Sequence, residues 1–245
     1  MNKISIVTPT YNTGRFIERT ILSVKNQNYS DYEHIIVDAG STDETLQIIK
    51  KYPEVTYVLK DKCTQSEALN IGFQKATGSI IGWVNSDDVY EPGAFGKASR
   101  VLDEHKDTDL VYSNCRFIDD GDKEIGFWKT AKFSYFRNLN YFQMIPQQTI
   151  FFRKSVFEKV GYIDESFSYT MDYDFLVRIS KKCRVEYVPN EVFASFRLHS
   201  VSKTMAQRKK FEPEVIAVKK KHGAVVPYQF AFALQRFIGL FKKRL

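Results

Sequence analysis

Cysteine is scarce and scattered: Cys63, Cys115 and Cys183 are the three present. They form neither a zinc pattern nor a disulfide framework, which points to a reducing compartment. No uninterrupted apolar run reaches the roughly 18 residues of a membrane span. The apolar segment Ile4–Val7 near Met1 is too short for a signal-peptide core. The expected location is therefore the cytoplasm, at most against the inner face of the cell membrane. A Gly-x-Gly-x-x-Gly phosphate loop is also lacking after the first apolar stretch; Thr8–Gly14 has a different spacing, which disfavours a Rossmann dehydrogenase. Internal repeats and low-complexity linkers do not occur.

What is present is a chain of 245 residues, 43% hydrophobic and unusually aromatic at 15%. That suffices for one large α/β domain with a small appendage. The formal charge of +7 admits anionic partners: nucleic acid, anionic lipid or phosphorylated substrates. Nucleic acid is disfavoured, because the basic residues gather in the tail rather than along a groove.

The first half alternates short strands with helices. Ile4–Thr8, Glu33–Asp38, Val55–Leu59, Ser79–Val84 and Asp109–Ser113 read as strands. Arg15–Gln27, Asp43–Lys51, Gln65–Ala76 and Gly93–His105 read as helices. The alternation predicts βαβ units and a Rossmann-like, mostly parallel sheet flanked by helices, with ligands beyond the carboxyl ends of the strands. From about Cys115 the pattern breaks down into an aromatic stretch that includes Phe127, Trp128, Tyr135, Phe136 and Phe142. A strand over Gln148–Arg153 follows, then a helix from Met171 or Asp172 to Lys181. Two extended pieces, Val185–Val188 and Val192–Phe196, lead to a helical basic tail after Lys203.

Three polar clusters close strands one, two and four: Pro9–Asn12, Asp38–Asp43 and Asn85–Asp88. Asp87 and Asp88, with the amide of Asn85, supply the hard oxygen ligands that suit Mg²⁺ or Mn²⁺, phosphates completing the shell. The competing reading is a polar turn capping the next helix at Glu91-Pro92. At the second cluster Ser41 or Thr42 caps a helix and Gly40 permits the turn, leaving Asp38 to bond a base or ribose. Asp172 is either a helix N-cap or a general base. Arg197, His199 and Ser202 place a cation, an imidazole and a hydroxyl in one extended segment, suited to a diphosphate.

In order and spacing these motifs resemble the family 2 glycosyltransferases, inverting sugar-nucleotide enzymes with the GT-A fold, over roughly residues 3 to 203. Ser5–Asn12 is similar to the opening strand and nucleotide loop, Asp38–Asp43 to the second-strand motif, and Ser66–Gly72 to a nucleotide-facing helix. Asn85-Ser86-Asp87 stands at the Asp-x-Asp metal motif, Met171–Asp174 at the Glu-Asp motif of the base, and Arg197-x-His199 with Ser202 at the segment returning to metal and diphosphate. Ala39, Asn85 and Met171 replace acids frequent in the family, and Asn85 lowers the charge of the metal site.

The resemblance implies a catalytic domain over 1–203, with a nucleotide-binding half at 1–114 and an acceptor-binding half at 115–203, and a tail at 204–245. It implies Pro9, Thr10, Tyr11, Asn12, Asp38, Ser66, Asn85 and Ser86 at the nucleotide, Asp87 and His199 at the metal, Asp88, Arg197 and Ser202 near the diphosphate, and Asp172 as base. The donor is then a nucleotide-diphosphate sugar and the acceptor a glycan or lipid-linked glycan, in a pathway of the lipopolysaccharide or capsule type. Rings of 127–142 line an acceptor cleft or join the core. In the tail, Phe230, Leu234, Phe237, Ile238 and Phe241 follow helical spacing among lysines. Residues 224–245 accordingly lie in an anionic membrane interface, or pack on the domain or a dimer partner. A nucleotidyltransferase and a non-catalytic nucleotide-sugar-binding module are the competing readings.

Overall fold

The computed structural model describes residues 2–141, 145–199 and 208–226. Its first part is the expected βαβ series: β1 (Ile4–Thr10), α1 (Gly14–Lys25), β2 (Tyr32–Asp38), α2 (Thr45–Ile49), β3 (Val55–Leu59), α3 (Gln65–Lys75) and β4 (Ile80–Trp83). All seven residues of β1 are buried. A strand covered on both faces reads as a continuous run rather than an alternation. α3 packs so close to β1 that a Cβ on Gly72 would stand 2.3 Å from Val7 Cγ1.

These strands pair in the order β3-β2-β1-β4, all parallel. Thr10 stands opposite Asp38, and Asp38 opposite Leu59. The carboxyl ends of β1, β2 and β4, with their polar clusters, therefore share one edge of the sheet.

The second part adds β5 (Val89–Tyr90), α4 (Ala94–Glu104), β6 (Leu110–Ile118), β7 (Glu124–Trp128), α5 (Tyr135–Asn140), a 3-10 turn (Gln147–Thr149), β8 (Phe151–Arg153), α6 (Val156–Val160), α7 (Met171–Lys182), β9 (Val185–Arg197) and α8 (Arg208–Lys221). β8 runs antiparallel between β4 and β6; β9 lies parallel to β6, and β5 closes that edge. One nine-stranded sheet results.

Several sequence expectations change here. The extended pieces at 185–188 and 192–196 are one strand, and its pairing with β6 slips around Asn114 where the two pieces meet. β6 runs through 114 and 115, so the expected boundary between halves falls inside a strand. The strand expected over 148–153 begins as a 3-10 turn at Gln147–Thr149, where the Gln147 side chain donates to the carbonyl of Trp83 (2.8 Å). Phe127 and Phe136 are exposed, while Trp128 stacks on Phe117 with the rings 6.3 Å apart. Phe133 and Tyr135 pack, partly buried, against the core around Phe73, Trp83, Phe152, Phe157 and Phe175.

Among the described residues no helix is long and apolar enough to cross a membrane. The apolar stripe of the tail and Phe142 lie outside the described residues. The described part of the tail packs on the domain, with Lys221 and His222 both reaching Asp174.

Candidate active site

The loops after β1 and β2 are laced together. Asn12 adopts a left-handed backbone (φ 51°), which asparagine tolerates. Its Oδ1 accepts the Thr42 N–H (2.8 Å) and its own N–H donates to Ser41 Oγ (2.8 Å). Asp43 accepts the N–H of Gly14 (2.9 Å) through one oxygen and that of Thr45 (3.0 Å) through the other. Glu44, not Ser41 or Thr42 as expected, is the N-cap of α2, and Asp43 before it accepts the N–H of Thr45, the first residue of the helix.

Asp38 is buried and fully engaged. Oδ1 accepts the Ser41 N–H and Oγ–H (2.9 and 2.7 Å) and the Gly40 N–H (3.2 Å), Gly40 taking φ 92° to make the turn. Oδ2 accepts the Tyr57 hydroxyl at 3.1 Å. Burial and then the Asp38 charge push that phenol up to about 12, so it stays a donor. The carboxylate expected to meet a base or ribose also builds the loop, as a buried charge needs partners. Pro9 and Thr10 are buried as well, whereas Tyr11 is 59% exposed at the same edge.

At the end of β4 the two adjacent carboxylates diverge. Asp88 is fully buried; its Oδ1 accepts the Arg197 N–H (2.8 Å) and its Oδ2 faces the Asn85 amide (3.3 Å). Burial first, then the charge of Asp87, hold its carboxyl well above the usual range. Asp87 instead reaches the surface, its Oδ2 2.9 Å from His199 Nε2. The His199 ring leans on Phe16 with centroids 4.7 Å apart.

Arg197 is buried beneath this pair. Its Nε donates to the Asp87 carbonyl (2.8 Å) and a terminal nitrogen to the Asp119 carbonyl (2.6 Å); the other pairs with Asp122 at 2.5 Å. Asp88 and Arg197, expected near a diphosphate, both brace the loop that carries Asp87. Ser86 is buried beside them, and Ser202 lies outside the described residues.

Asn85 connects this edge to the other half. Its Oδ1 accepts from Trp83 Nε1 (3.1 Å) and Gln65 Nε2 (3.0 Å), and its amide nitrogen faces Gln147 (3.3 Å). The next residue on α3, Ser66, donates its hydroxyl to the Phe167 carbonyl (2.8 Å). Buried and so engaged, Ser66, expected at the nucleotide, ties α3 to the loop before α7. Asn70 continues the seam, accepting the Ile163 N–H (2.9 Å) and donating to its carbonyl (3.0 Å). The N-terminus of α3 therefore holds both the end of β4 and the loop that leads to Asp172.

Asp172 sits partly exposed in the first turn of α7, whose N-cap is Thr170. The N-cap reading of Asp172 is thus corrected. Its carboxylate stands at the positive end of the helix dipole. The turn leading into α7 is held from α8: Glu214 accepts the N–H groups of Ser168, Tyr169 and Thr170 at 3.0, 2.7 and 2.9 Å. Nothing in the local sequence flags Glu214, which lies 44 residues beyond the N-cap it serves.

No cluster of three or more His, Cys, Asp or Glu ligands occurs among the described residues. Asp87 and His199 nevertheless bring one carboxylate and one imidazole nitrogen together, and His199 Nδ1 is buried with no hydrogen-bond partner among the described residues. Such a pair fits an Mg²⁺ or Mn²⁺ ion whose other ligands are phosphates and water.

The parallel strands β1 to β4 carry their acidic side chains beyond the carboxyl ends, where ligands of open α/β sheets sit. Residues 5–161 match glycosyl transferase family 2, and the chain belongs to that family. It is a glycosyltransferase of GT-A architecture. An uncharacterized glycosyltransferase of Rickettsia prowazekii is 28% identical over 97% of this chain and 87% of its own length. A PGL/p-HBAD biosynthesis glycosyltransferase of Mycobacterium tuberculosis is 28% identical over 71% of this chain and 68% of its own. Among solved structures, TarS 1–349 of S. aureus in complex with UDP-GlcNAc superposes with a TM-score of 0.71 at 19% identity, over 94% of this chain and 69% of that one. The mannosyltransferase PcManGT of Pyrobaculum calidifontis, in complex with GDP-Man and Mn²⁺, gives 0.65 at 16% identity, over 89% and 63%. At these identities the structural likenesses establish the fold.

Proposed function

We propose that the protein is an inverting transferase that moves a sugar from a nucleotide-diphosphate sugar to a hydroxyl of a glycan or lipid-linked glycan. The observation that carries this reading is the seam at α3, where neighbouring residues Gln65 and Ser66 bond Asn85 at the end of β4 and Phe167 before Asp172. It ties the loop of Asp87 to the loop of Asp172 across a single helix terminus.

In this reading the donor lies over the ends of β1, β2 and β4, its base near exposed Tyr11. Asp87 and His199 hold Mg²⁺ or Mn²⁺ against the diphosphate; bound there, the ion offsets the charge that develops on the leaving phosphate. Asp172 accepts the proton of the acceptor hydroxyl. The acceptor oxygen forms its bond to the anomeric carbon as the bond to the phosphate oxygen breaks on the opposite face, so one displacement inverts the centre. Arg197 and Asp88 act from below by fixing the backbone of Asp87.

The acceptor class leans on the mycobacterial relative named for PGL/p-HBAD biosynthesis. The donor class leans on the nucleotide-sugar complexes of the neighbouring folds. A screen of UDP-, GDP- and dTDP-sugars scored by released nucleotide diphosphate identifies the donor. With that donor, Asp172→Asn is expected to lower transfer about 10²- to 10⁴-fold, the range of a lost general base, while leaving nucleotide affinity unchanged. Near-normal turnover by the variant would reject the assignment.

A further inference from the structure

Helix α8 lies beyond the residues that match the family, and it grips α7 on both sides of Asp172. Glu214 spreads its carboxylate over the turn before the helix: Oε1 accepts the Ser168 N–H (3.0 Å), and Oε2 accepts those of Tyr169 and Thr170 (2.7 and 2.9 Å) with the Thr170 hydroxyl at 3.2 Å. The first N–H groups of a helix have no acceptor within it, and the Thr170 side chain makes no capping bond. A carboxylate from another helix holds the turn just ahead of those groups, bonding the N-cap N–H and the two before it, and complements the positive end of the dipole.

Beyond Asp172, buried Asp174 receives Lys221 (2.8 Å) and His222 (2.9 Å) of the C-terminal segment as well as Arg178 (2.7 Å). Between them, the Tyr173 hydroxyl donates to the carbonyls of Asn138 and Leu139, both at 2.9 Å, and its N–H donates to Asp172 Oδ1 (2.8 Å). Residues 168–170 and 173–174 are thus pinned, and the partly exposed side chain held between them is Asp172.

We propose that Glu214 is a positioning residue for the transfer reaction: by capping 168–170 it fixes the first turn of α7 and so the direction of the Asp172 carboxylate. This rests on the reading of Asp172 as the base. Glu214 touches neither substrate nor reacting atoms; it acts through the backbone of the turn. Small displacements of a reacting group cost up to about 100-fold in rate, so its loss is read in turnover rather than in donor binding.

The test uses the full chain, the donor that gives turnover in the screen above, and Glu214→Gln. That variant keeps the C-terminal segment anchored through Lys219, which donates to the Asn140 carbonyl (2.6 Å), and through Lys221 and His222, but removes the charge and one acceptor oxygen. The expected result is a fall in kcat of about 10- to 100-fold with donor KM within about twofold, and faster hydrogen exchange at the amides of Tyr169 and Thr170. An unchanged kcat, a loss confined to KM, or unchanged exchange at those amides overturns the proposal. Should the variant not fold, Glu214→Asp, which keeps the charge but withdraws it by one methylene, is scored on the same readouts. Asp172→Asn is run beside it. If that variant turns over normally, the base reading fails; a kcat loss in Glu214→Gln would then lie elsewhere than Asp172, which also overturns this proposal.

Discussion

The two sides of the candidate site are held in different ways. On the donor side, Asp38 bonds Ser41 three residues on, and Asn12 bonds Thr42 across thirty residues within one βαβ unit. On the acceptor side, the loop before Asp172 is fastened to α3 across separations of 93 and 101 residues, and to α8 across 44 to 46. The β1 and β2 loops of the donor edge take their shape as adjacent strands pair, while the Asp87 loop also needs Arg197 and His199. The acceptor edge exists only when an early helix and the C-terminal segment have both docked. Away from the α3 terminus that both sides share, donor binding and transfer should be separable by mutation, because Asn12 and Asp38 serve one side and Glu214 the other.

The sharpest break in that comparison is at Asp87, the one carboxylate of the β4 cluster that reaches the surface and His199. Asp87→Ala is expected to abolish the Mn²⁺-dependent gain in UDP or GDP affinity, a loss of about 100-fold given the weight of a direct ligand in an incomplete site. Calorimetry with each nucleotide, with and without Mn²⁺, measures it. The same metal dependence in the variant and the wild type would remove Asp87 from the metal reading.

The counterpart on the acceptor side is Asp174. Burial would raise its carboxyl, but the hydrogen bonds of Lys221 and His222 and the nearby Arg178 outweigh that and hold it below the usual value of 3.8. A depressed value means that the clamp is complete above the ordinary carboxylate range and is lost only as pH falls through the lower, folded one. Asp174→Ala leaves three donors without their buried acceptor. Lys221 is 39% exposed in its side chain and recovers water, so the expected cost is about 2–3 kcal/mol rather than the full penalty of a broken buried pair. Urea unfolding gives the value, and donor affinity should stay put. If donor affinity falls in step with stability, the two sides are not independent.

Much of the donor side was legible from residue order. The alternation of apolar runs with helical stretches marks β1 to β4 and α1 to α4 to within a few residues, because each buried strand is a continuous run bounded by polar turn residues. Short elements were not: two-residue β5 has no periodicity to read, and α5 and α6 are fewer than seven residues long. Side-chain direction was the larger gap. Asp87 and Asp88 are adjacent and chemically alike, yet one meets His199 and the other is sealed under Arg197. Only the packing of β9 against β5 and β6 decides which is which. Glu214 carried no signal at all, since the N–H groups it serves belong to a turn formed by distant sequence.

The smallest effect lies under the donor edge itself. His34 is buried in β2, its Nε2 2.9 Å from Thr8 Oγ1. Burial, only partly opposed by Glu54, drives its ring down to about 3 from 6.5. The unfolded chain takes up a proton on this imidazole below pH 6.5 while the folded one does not. Its contribution is therefore fully present above 6.5 and is lost as pH falls toward 3, by about 1.4 kcal/mol per pH unit. His34→Gln keeps a polar partner for Thr8 without a titrating ring. Compared by urea unfolding at pH 7.5, 6.0 and 5.0, the variant should begin less stable than the wild type and close the gap as pH falls. A constant gap across that range would mean that the imidazole takes up its proton equally in both states, and that β2 is not sealed from water beneath the donor edge.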